Sequence, residues 1–151
     1  MEEIRLNLGC SDRHLPGYIN IDRVKPADMI MDLAWPWNFE ESSVSEILAY
    51  DIIEHLPDKI LTMNQAWRAL KPGGLLDIDV PTTDGRGAWQ DPTHVSYWNR
   101  NSFFYFTDGD PHRERFGEAY KIRARFQVID EKTTGYPNSV VKLRIKLRAV
   151  K

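Results

Sequence analysis

The residues best suited to hold a nucleoside lie near the start of the chain, in LNLGCS (residues 6–11) and PGYINID (residues 16–22). A strand that stops at Gly9 lets the backbone pass close to a ligand at the carboxyl edge of a sheet. Asp22 ends the next apolar segment, where its carboxylate can accept hydrogen bonds from both hydroxyls of a ribose. The pattern predicts an adenosine site, although by itself it also fits a plain strand–turn–strand.

A second group of reactive side chains lies in GAWQDPTHVSYWNRNSFFYF, residues 87–106. His94 is the candidate general base, and Asp91 is placed to orient it or a substrate. A second interpretation is that the aromatic residues cover the sheet and His94 only hydrogen-bonds a loop. Asp91, His94 and His112 lack the dense spacing of metal ligands, so no metal site is predicted.

The elements that must position these residues follow from the apolar pattern. Strands are predicted at residues 4–8, 18–22, 29–33, 45–50 and 75–80, with a terminal hairpin of residues 120–131 and 140–150. Pro57 opens a helix with Asp58 in its first turn, and Pro72-Gly73-Gly74 ends it. The long connection over residues 81–118 is typical of a functional lid. These elements predict an α/β fold whose sheet is mainly parallel, with a C-terminal antiparallel hairpin.

Two further segments keep the same order and spacing, AYDIIEHL (residues 49–56) and RALKPGGLLDIDVP (residues 68–81). Together with LNLGCS, they make residues 4–81 resemble class I S-adenosylmethionine-dependent methyltransferases, specifically small, methyltransferase-11-like members with an LNLGCG-type opening. The resemblance implies a Rossmann-like methyltransferase sheet, S-adenosylmethionine as cofactor, and methyl transfer by direct displacement.

The resemblance also implies roles for individual residues. The methionine part of the cofactor would lie along Asn7, Leu8, Gly9 and Cys10. The adenosine would contact Asp22 at the ribose, Arg23 beside the adenine, and Asp32 and Leu33 along the adenine edge. Asp51 would lie near the sulfonium, with Glu54 and His55 at the rim of the acceptor pocket.

Two departures from the family pattern concern the first loop. Ser11 stands where the family usually has a second glycine, so approach to the ligand is less free. The span between the first two strands is also too short for the crossover helix that parallel strands normally need. We therefore expect a reduced helix set and, if these strands pair in parallel, an unusual connecting loop.

Length and composition predict a single domain, residues 1–151, in the cytoplasm. Apolar residues make up 42% and charged residues 28% of the chain, Cys10 is the only cysteine, and no leader or membrane-spanning run is evident. The net charge of -2 combines a balance of -9 over residues 1–111 with +7 over residues 112–151. The basic residues of the tail alternate with apolar ones, which fits either a solvated basic face or a surface for an anionic partner. Nucleic acid is unlikely as a partner, because aromatic residues are not interleaved with the basic ones, and a homodimer stays possible.

Three functions are compatible with these observations. The leading hypothesis is a methyltransferase that acts on a small-molecule or sugar-like acceptor. The alternative is a non-catalytic methyltransferase-like binding module or partner subunit. A nicotinamide-dinucleotide enzyme is disfavoured, because the GxGxxG loop is absent and no helix is predicted after the first strand to hold a pyrophosphate.

Overall fold

The computed structural model describes residues 2–151, which build a seven-stranded sheet in the order β3-β2-β1-β4-β5-β7-β6. The strands are β1 (Ile4–Leu8), β2 (Ile19–Asp22), β3 (Met29–Ile30), β4 (Val44–Tyr50), β5 (Leu70–Pro81), β6 (Phe126–Gly135) and β7 (Val141–Ala149). The helices are α1 (Lys59–Ala69), α2 (Gly87–Gln90) and α3 (Pro111–Phe116), with 3₁₀ turns at Ile53–His55 and Arg100–Phe106. Strands β1 to β5 are parallel, and β7 runs antiparallel to both β5 and β6. This confirms the predicted fold class.

The apolar core lies on one face of the sheet. Alternate residues of the strands point into it, as the two-residue period of a strand requires, and α1 adds Met63 and Ala66. Trp98 and Phe103, from the segment predicted to be a lid, are fully buried in the same core. That segment therefore carries part of the core as well as bordering the site. Asp58 begins α1 as its N-cap, since its carboxylate accepts the Leu61 N–H at 2.8 Å.

Two buried asparagines organise the connection between the parallel strands β1 and β2. Residues 9–18, all of which the structure describes, form turns and no helix. Asn7 Nδ2 donates to the Arg13 carbonyl at 2.7 Å and to Asn20 Oδ1 at 2.8 Å. Asn20 in turn accepts the Leu15 N–H at 2.9 Å and donates to Asp28 Oδ2 at 2.7 Å. Side-chain amides thus satisfy backbone groups of the loop, and this explains how β1 and β2 can pair in parallel without a crossover helix.

The opposite face of the sheet is polar, and several of its charges are paired. Asp77, which is 3% exposed, accepts the Tyr50 hydroxyl at 3.0 Å and Arg144 Nη2 at 2.8 Å. Lys142 lies 2.7 Å from Asp51 and 3.4 Å from Asp79. The acids of β5 thus have partners across the sheet. The basic face of β7 is in part neutralised, rather than simply solvated.

The terminal hairpin forms, but β6 begins at Phe126 and not near Tyr120. Residues 122 and 124 are buried as the alternation indicates, yet their backbone groups bond to side chains and to the Gly117 carbonyl rather than to a strand. Asn64 Oδ1 accepts the N–H groups of Arg123 and Ala124 at 2.8 and 3.0 Å. The buried Arg113 donates to the carbonyls of Ala124 and Ile122 at 3.0 and 3.2 Å. Alternation of apolar residues cannot distinguish a segment whose backbone bonds to a neighbouring strand from one whose backbone is bonded by side chains.

Two other strands differ in length from their predictions. The third is only Met29–Ile30, while β5 begins at Leu70, five residues early. Leu70 already pairs with Val44, and the register then shifts before Leu75 pairs with Glu46. Residues 71–74, with Gly73 at φ +78°, therefore bulge out of the sheet instead of only ending the helix. Within residues 2–151, none of the helices has the length and apolar character needed to cross a membrane.

We expect Asn20→Ala to lower the free energy of unfolding by about 2 kcal/mol, because several buried groups lose their partners. Urea denaturation measures the change. Asn38→Ala is the matched control, since Asn38 is exposed, and it should stay within about 0.5 kcal/mol of the parent. Equal stability of the two variants would contradict the organising role of Asn20.

We also expect Asp77→Ala to lower the free energy of unfolding by about 2 kcal/mol, less than the typical loss of about 3–5 kcal/mol when a buried ion pair is broken. The reason is that Arg144 is 57% exposed and can be rehydrated. The exposed Asp130 on β6 supplies the control variant Asp130→Ala. A loss for Asp77→Ala no larger than that of this control, in the same denaturation experiment, would refute the assignment.

Candidate functional site

A cavity of about 500 Å³ opens at the carboxyl ends of the parallel strands, where ligands bind in open α/β sheets. Its walls come from the loops after β1, β2, β3 and β4 and from the segment after α2. The lining residues are Gly9, Asp22, Arg23, Met31, Asp32, Leu33, Ala34, Ile52, His55, Leu56, Pro57, Thr93 and Val95. Six of the residues predicted from the sequence are among them, namely Gly9, Asp22, Arg23, Asp32, Leu33 and His55.

Asp22 lies at the end of β2 with its carboxylate held by the backbone. Oδ2 accepts the Ser11 N–H at 2.9 Å, and Oδ1 accepts the Arg23 N–H at 2.7 Å. Ser11 reaches this position with a left-handed φ of +47°, so the serine that stands where the resembled family usually has glycine still adopts a conformation that favours glycine. Each carboxylate oxygen keeps a second lone pair, which leaves Asp22 able to accept further hydrogen bonds from a ligand.

Gly9 is required at its position for two reasons. Its φ is +62°, a region that favours glycine. A Cβ atom there would also lie 2.7 Å from the side chain of Ile52. Ile52 therefore packs directly over the turn, and it narrows the cavity beside the backbone that the family resemblance assigns to the methionine part of the cofactor.

The other residues predicted along the methionine have buried side chains. Asn7, Leu8 and Cys10 are 5%, 2% and 1% exposed, and Asn7 is used to hold the β1–β2 connection. Burial raises the pKa of the Cys10 thiol, so this cysteine is not an activated one. Contact of these three residues with a cofactor would be made chiefly by their backbone.

Asp51 and Asp32 are placed differently from each other. Asp51 adopts a left-handed φ of +53° just after β4, and its carboxylate pairs with Lys142 on the polar face. Asp32 lines the cavity, and its Oδ1 accepts the Ala34 N–H at 3.0 Å. The predicted role of Asp51 beside the sulfonium stays a prediction, whereas Asp32 and Leu33 lie on the cavity wall.

His94 and Asp91 are near each other, as their spacing suggests. His94 Nε2 lies 3.6 Å from Asp91 Oδ2, and Nδ1 lies 3.0 Å from the carbonyl of Ala88. The His94 side chain is only 7% exposed, and its ring meets that of His55 edge-on at 4.9 Å. Asp91 bonds both the N–H and the hydroxyl of Thr93, and these bonds hold the pKa of Asp91 below its usual range. His55 lines the cavity, so of the two rings it is the one that faces a ligand there.

The aromatic residues of this segment divide into two groups. Trp98 and Phe103 pack together in the core at 5.3 Å between ring centroids. Trp89 and Tyr97 are 58% and 40% exposed and stack on each other at 4.6 Å. The interpretation that the aromatic residues cover the sheet therefore fits Trp98 and Phe103 but not Trp89 and Tyr97.

The burial of Glu54 is the feature of the site that residue spacing did not predict. Glu54 is 2% exposed, and burial raises its pKa to about 7. Its carbonyl accepts the N–H groups of Val95 and Ser96 at 2.9 and 3.1 Å, which ties the turn after β4 to the segment that contains His94. The EHL sequence was the only signal, and it gave no indication that Glu54 is buried beside two histidines.

Comparison with known proteins supports the fold and leaves the family unassigned. No family model matches the chain, and no curated protein matches it in sequence. Among solved structures, a Methanosarcina mazei S-adenosylmethionine-dependent methyltransferase superposes with a TM-score of 0.65 at 12% identity, over 99% of this chain and 94% of that one.

Two other solved structures extend the comparison. The Burkholderia thailandensis 1,6-didemethyltoxoflavin-N1-methyltransferase, solved with bound 1,6-didemethyltoxoflavin and S-adenosylhomocysteine, has a TM-score of 0.65 at 13% identity and covers 98% of this chain and 71% of that one. The (4+2)-cyclase SpnF has a TM-score of 0.67 at 10% identity and covers 98% and 75%. The chain thus has the Rossmann-like fold of the S-adenosylmethionine-dependent methyltransferases, with few helices.

Proposed function

We propose that the protein binds S-adenosylmethionine in the cavity at the carboxyl edge of the sheet and transfers its methyl group to a small-molecule acceptor. The observation that carries the proposal is the Asp22 carboxylate, fixed by two backbone N–H groups at the mouth of a 500 Å³ cavity. A cavity of this size is in the usual range for a cofactor site. The neighbouring methyltransferase that was solved with S-adenosylhomocysteine supports the choice of cofactor.

The residues present fit an adenosine at one end of this cavity. Asp22 has free lone pairs for the ribose hydroxyls, and Arg23, Asp32 and Leu33 form the adjoining wall. A nicotinamide dinucleotide fits less well, because the described residues 9–18 contain no helix whose N-terminus could hold a pyrophosphate. The cofactor supplies an electrophilic methyl carbon on a sulfonium.

The other end of the cavity, formed by His55, Thr93 and Val95, is then the acceptor side. These residues would align the acceptor and exclude water, which is the main requirement of a direct displacement. The prediction that His94 and Asp91 supply a general base requires a route through His55, because His55 lines the cavity and contacts His94.

A second candidate function is a non-catalytic module of the same fold. The close packing of Ile52 on Gly9 favours it, because it restricts the space beside the loop that would hold the methionine. SpnF, which has a similar fold, is described as a (4+2)-cyclase and not as a methyltransferase. Binding of S-adenosylhomocysteine without methyl transfer to any acceptor in a broad screen would support this candidate.

We expect Asp22→Ala to weaken S-adenosylmethionine binding by about 100-fold. Loss of hydrogen bonds to a charged group costs about 1.5–3 kcal/mol each, and 1.4 kcal/mol corresponds to a factor of ten. Calorimetric titration with S-adenosylmethionine, S-adenosylhomocysteine and NAD measures the effect on the parent and the variant.

Asp12→Ala is the matched control, because Asp12 is an exposed acid of the same loop. It should bind S-adenosylmethionine as the parent does. If Asp22→Ala bound the cofactor with parental affinity, the ribose assignment would be wrong. If the parent bound NAD and neither adenosyl ligand, the proposed cofactor would be wrong.

A further inference from the structure

Three side chains at the acceptor side of the cavity form what we call the histidine cluster: Glu54, His55 and His94. One donor atom from each lies within 4.8 Å of the other two. Glu54 and His55 belong to the 3₁₀ turn after β4, and His94 follows α2. The cluster borders the cavity through His55 and extends away from it into the protein.

Both imidazoles have their Nδ1 atoms engaged by the backbone. His55 Nδ1 lies 3.2 Å from the carbonyl of Thr93, and His94 Nδ1 lies 3.0 Å from the carbonyl of Ala88. A carbonyl can only accept, and the Thr93 hydroxyl, which also lies 3.2 Å from His55 Nδ1, already donates to Asp91. These contacts are therefore satisfied by the tautomer with a proton on Nδ1, and a neutral ring in that tautomer has its lone pair on Nε2. Metal-binding histidines show this arrangement, because the bond from the second nitrogen fixes the ring orientation.

Glu54 lacks a partner for one carboxylate oxygen. Its side chain is 3% exposed, Oε1 lies 3.9 Å from His55 Nε2, and Oε2 has no hydrogen-bond partner among the described residues. Buried carboxylates are normally paired or hydrogen-bonded, and an orphaned one calls for an explanation such as a bound ion. The Glu54 carbonyl accepts the N–H groups of Val95 and Ser96, so the backbone that carries this side chain is held beside the segment that contains His94.

We propose that Glu54, His55 and His94 bind one divalent transition-metal ion, with zinc as the representative. Two imidazoles and a carboxylate suit zinc, cobalt or ferrous iron better than magnesium, which prefers oxygen ligands. Ligand atoms of a tetrahedral zinc site lie about 3.4 Å apart, since each bond is about 2.1 Å long. Side-chain rotations that move these atoms by about 1 Å would close the cluster to that spacing.

Asp91 is the candidate fourth ligand from the protein, because its Oδ2 lies 3.6 Å from His94 Nε2. A metal-bound Nε2 has no free lone pair, so this assignment replaces the general-base role predicted for His94. Binding of the ion does not depend on the proposed cofactor.

The experiment is a titration of tag-free protein, stripped with EDTA and then freed of it, with zinc chloride in a calorimeter and no cofactor present. We expect one zinc ion per chain. Glu54→Gln and His94→Ala should each weaken binding by at least about tenfold, the lower limit seen even for outer-shell changes. Cobalt chloride should give the visible absorption of nitrogen- and oxygen-ligated cobalt, and magnesium chloride should give no binding.

His112→Ala is the matched control, because His112 is an exposed histidine paired with Asp110 outside the cluster. It should bind zinc as the parent does. His55→Ala is a further variant that tests the same site with less risk to folding, since its side chain is 33% exposed. Circular dichroism checks that each variant is folded.

Two results would overturn the proposal. One is the absence of zinc binding by the parent protein. The other is parental zinc affinity in folded His55→Ala and Glu54→Gln, or an equal loss in His112→Ala, either of which would assign the ion to surface groups. Zinc binding by a protein that does not bind S-adenosylmethionine would refute the proposed function and leave this inference intact.

Discussion

The hydrogen bond between Asn7 and Asn20 is the constraint on which the geometry of the cavity around Gly9 and Asp22 depends. Parallel strands β1 and β2 bring Gly9 and Asp22 to one edge, but a link of residues 9–18 has no room for a crossover helix. Two buried amides on neighbouring strands satisfy the loop's backbone groups in place of helical bonds. Ser11 is thereby held in the left-handed turn from which its N–H reaches Asp22.

The small number of helices also explains why one face of the sheet is polar. Where few helices cover a sheet, the uncovered face must be compatible with water and still hold its strands together. Asp77 and its partners Tyr50 and Arg144 join β4, β5 and β7 across that face. Burial and the neighbouring Asp77 raise the pKa of Tyr50 to about 12, so its hydroxyl stays a donor. Charge pairing on this face thus accompanies an apolar core on the other.

The sequence predicted the parts of the molecule that depend on local signals. Apolar runs and a glycine located β1 and the cavity-lining residues Gly9 and Asp22, and Pro57 with Asp58 located the start of α1. Side chains that satisfy backbone groups at a distance could not be predicted in this way. Asn64 and Arg113 bond residues 122–124, so an alternating segment that looks like a strand is not one. The spacing of residues in the sequence also could not predict the packing of Ile52 on Gly9.

The two ends of the cavity differ in how they are specified, and this difference bears on function. The proposed adenosine end is built from adjacent strand ends, so a short stretch of sequence contains nearly all of it. The proposed acceptor end joins the turn after β4 to a segment that follows β5, and the Glu54 carbonyl fixes the two together through Val95 and Ser96. Glu54 and His94 can therefore become neighbours only once the sheet and the Trp98 core have formed. Any site that they form together is a property of the fold rather than of either segment.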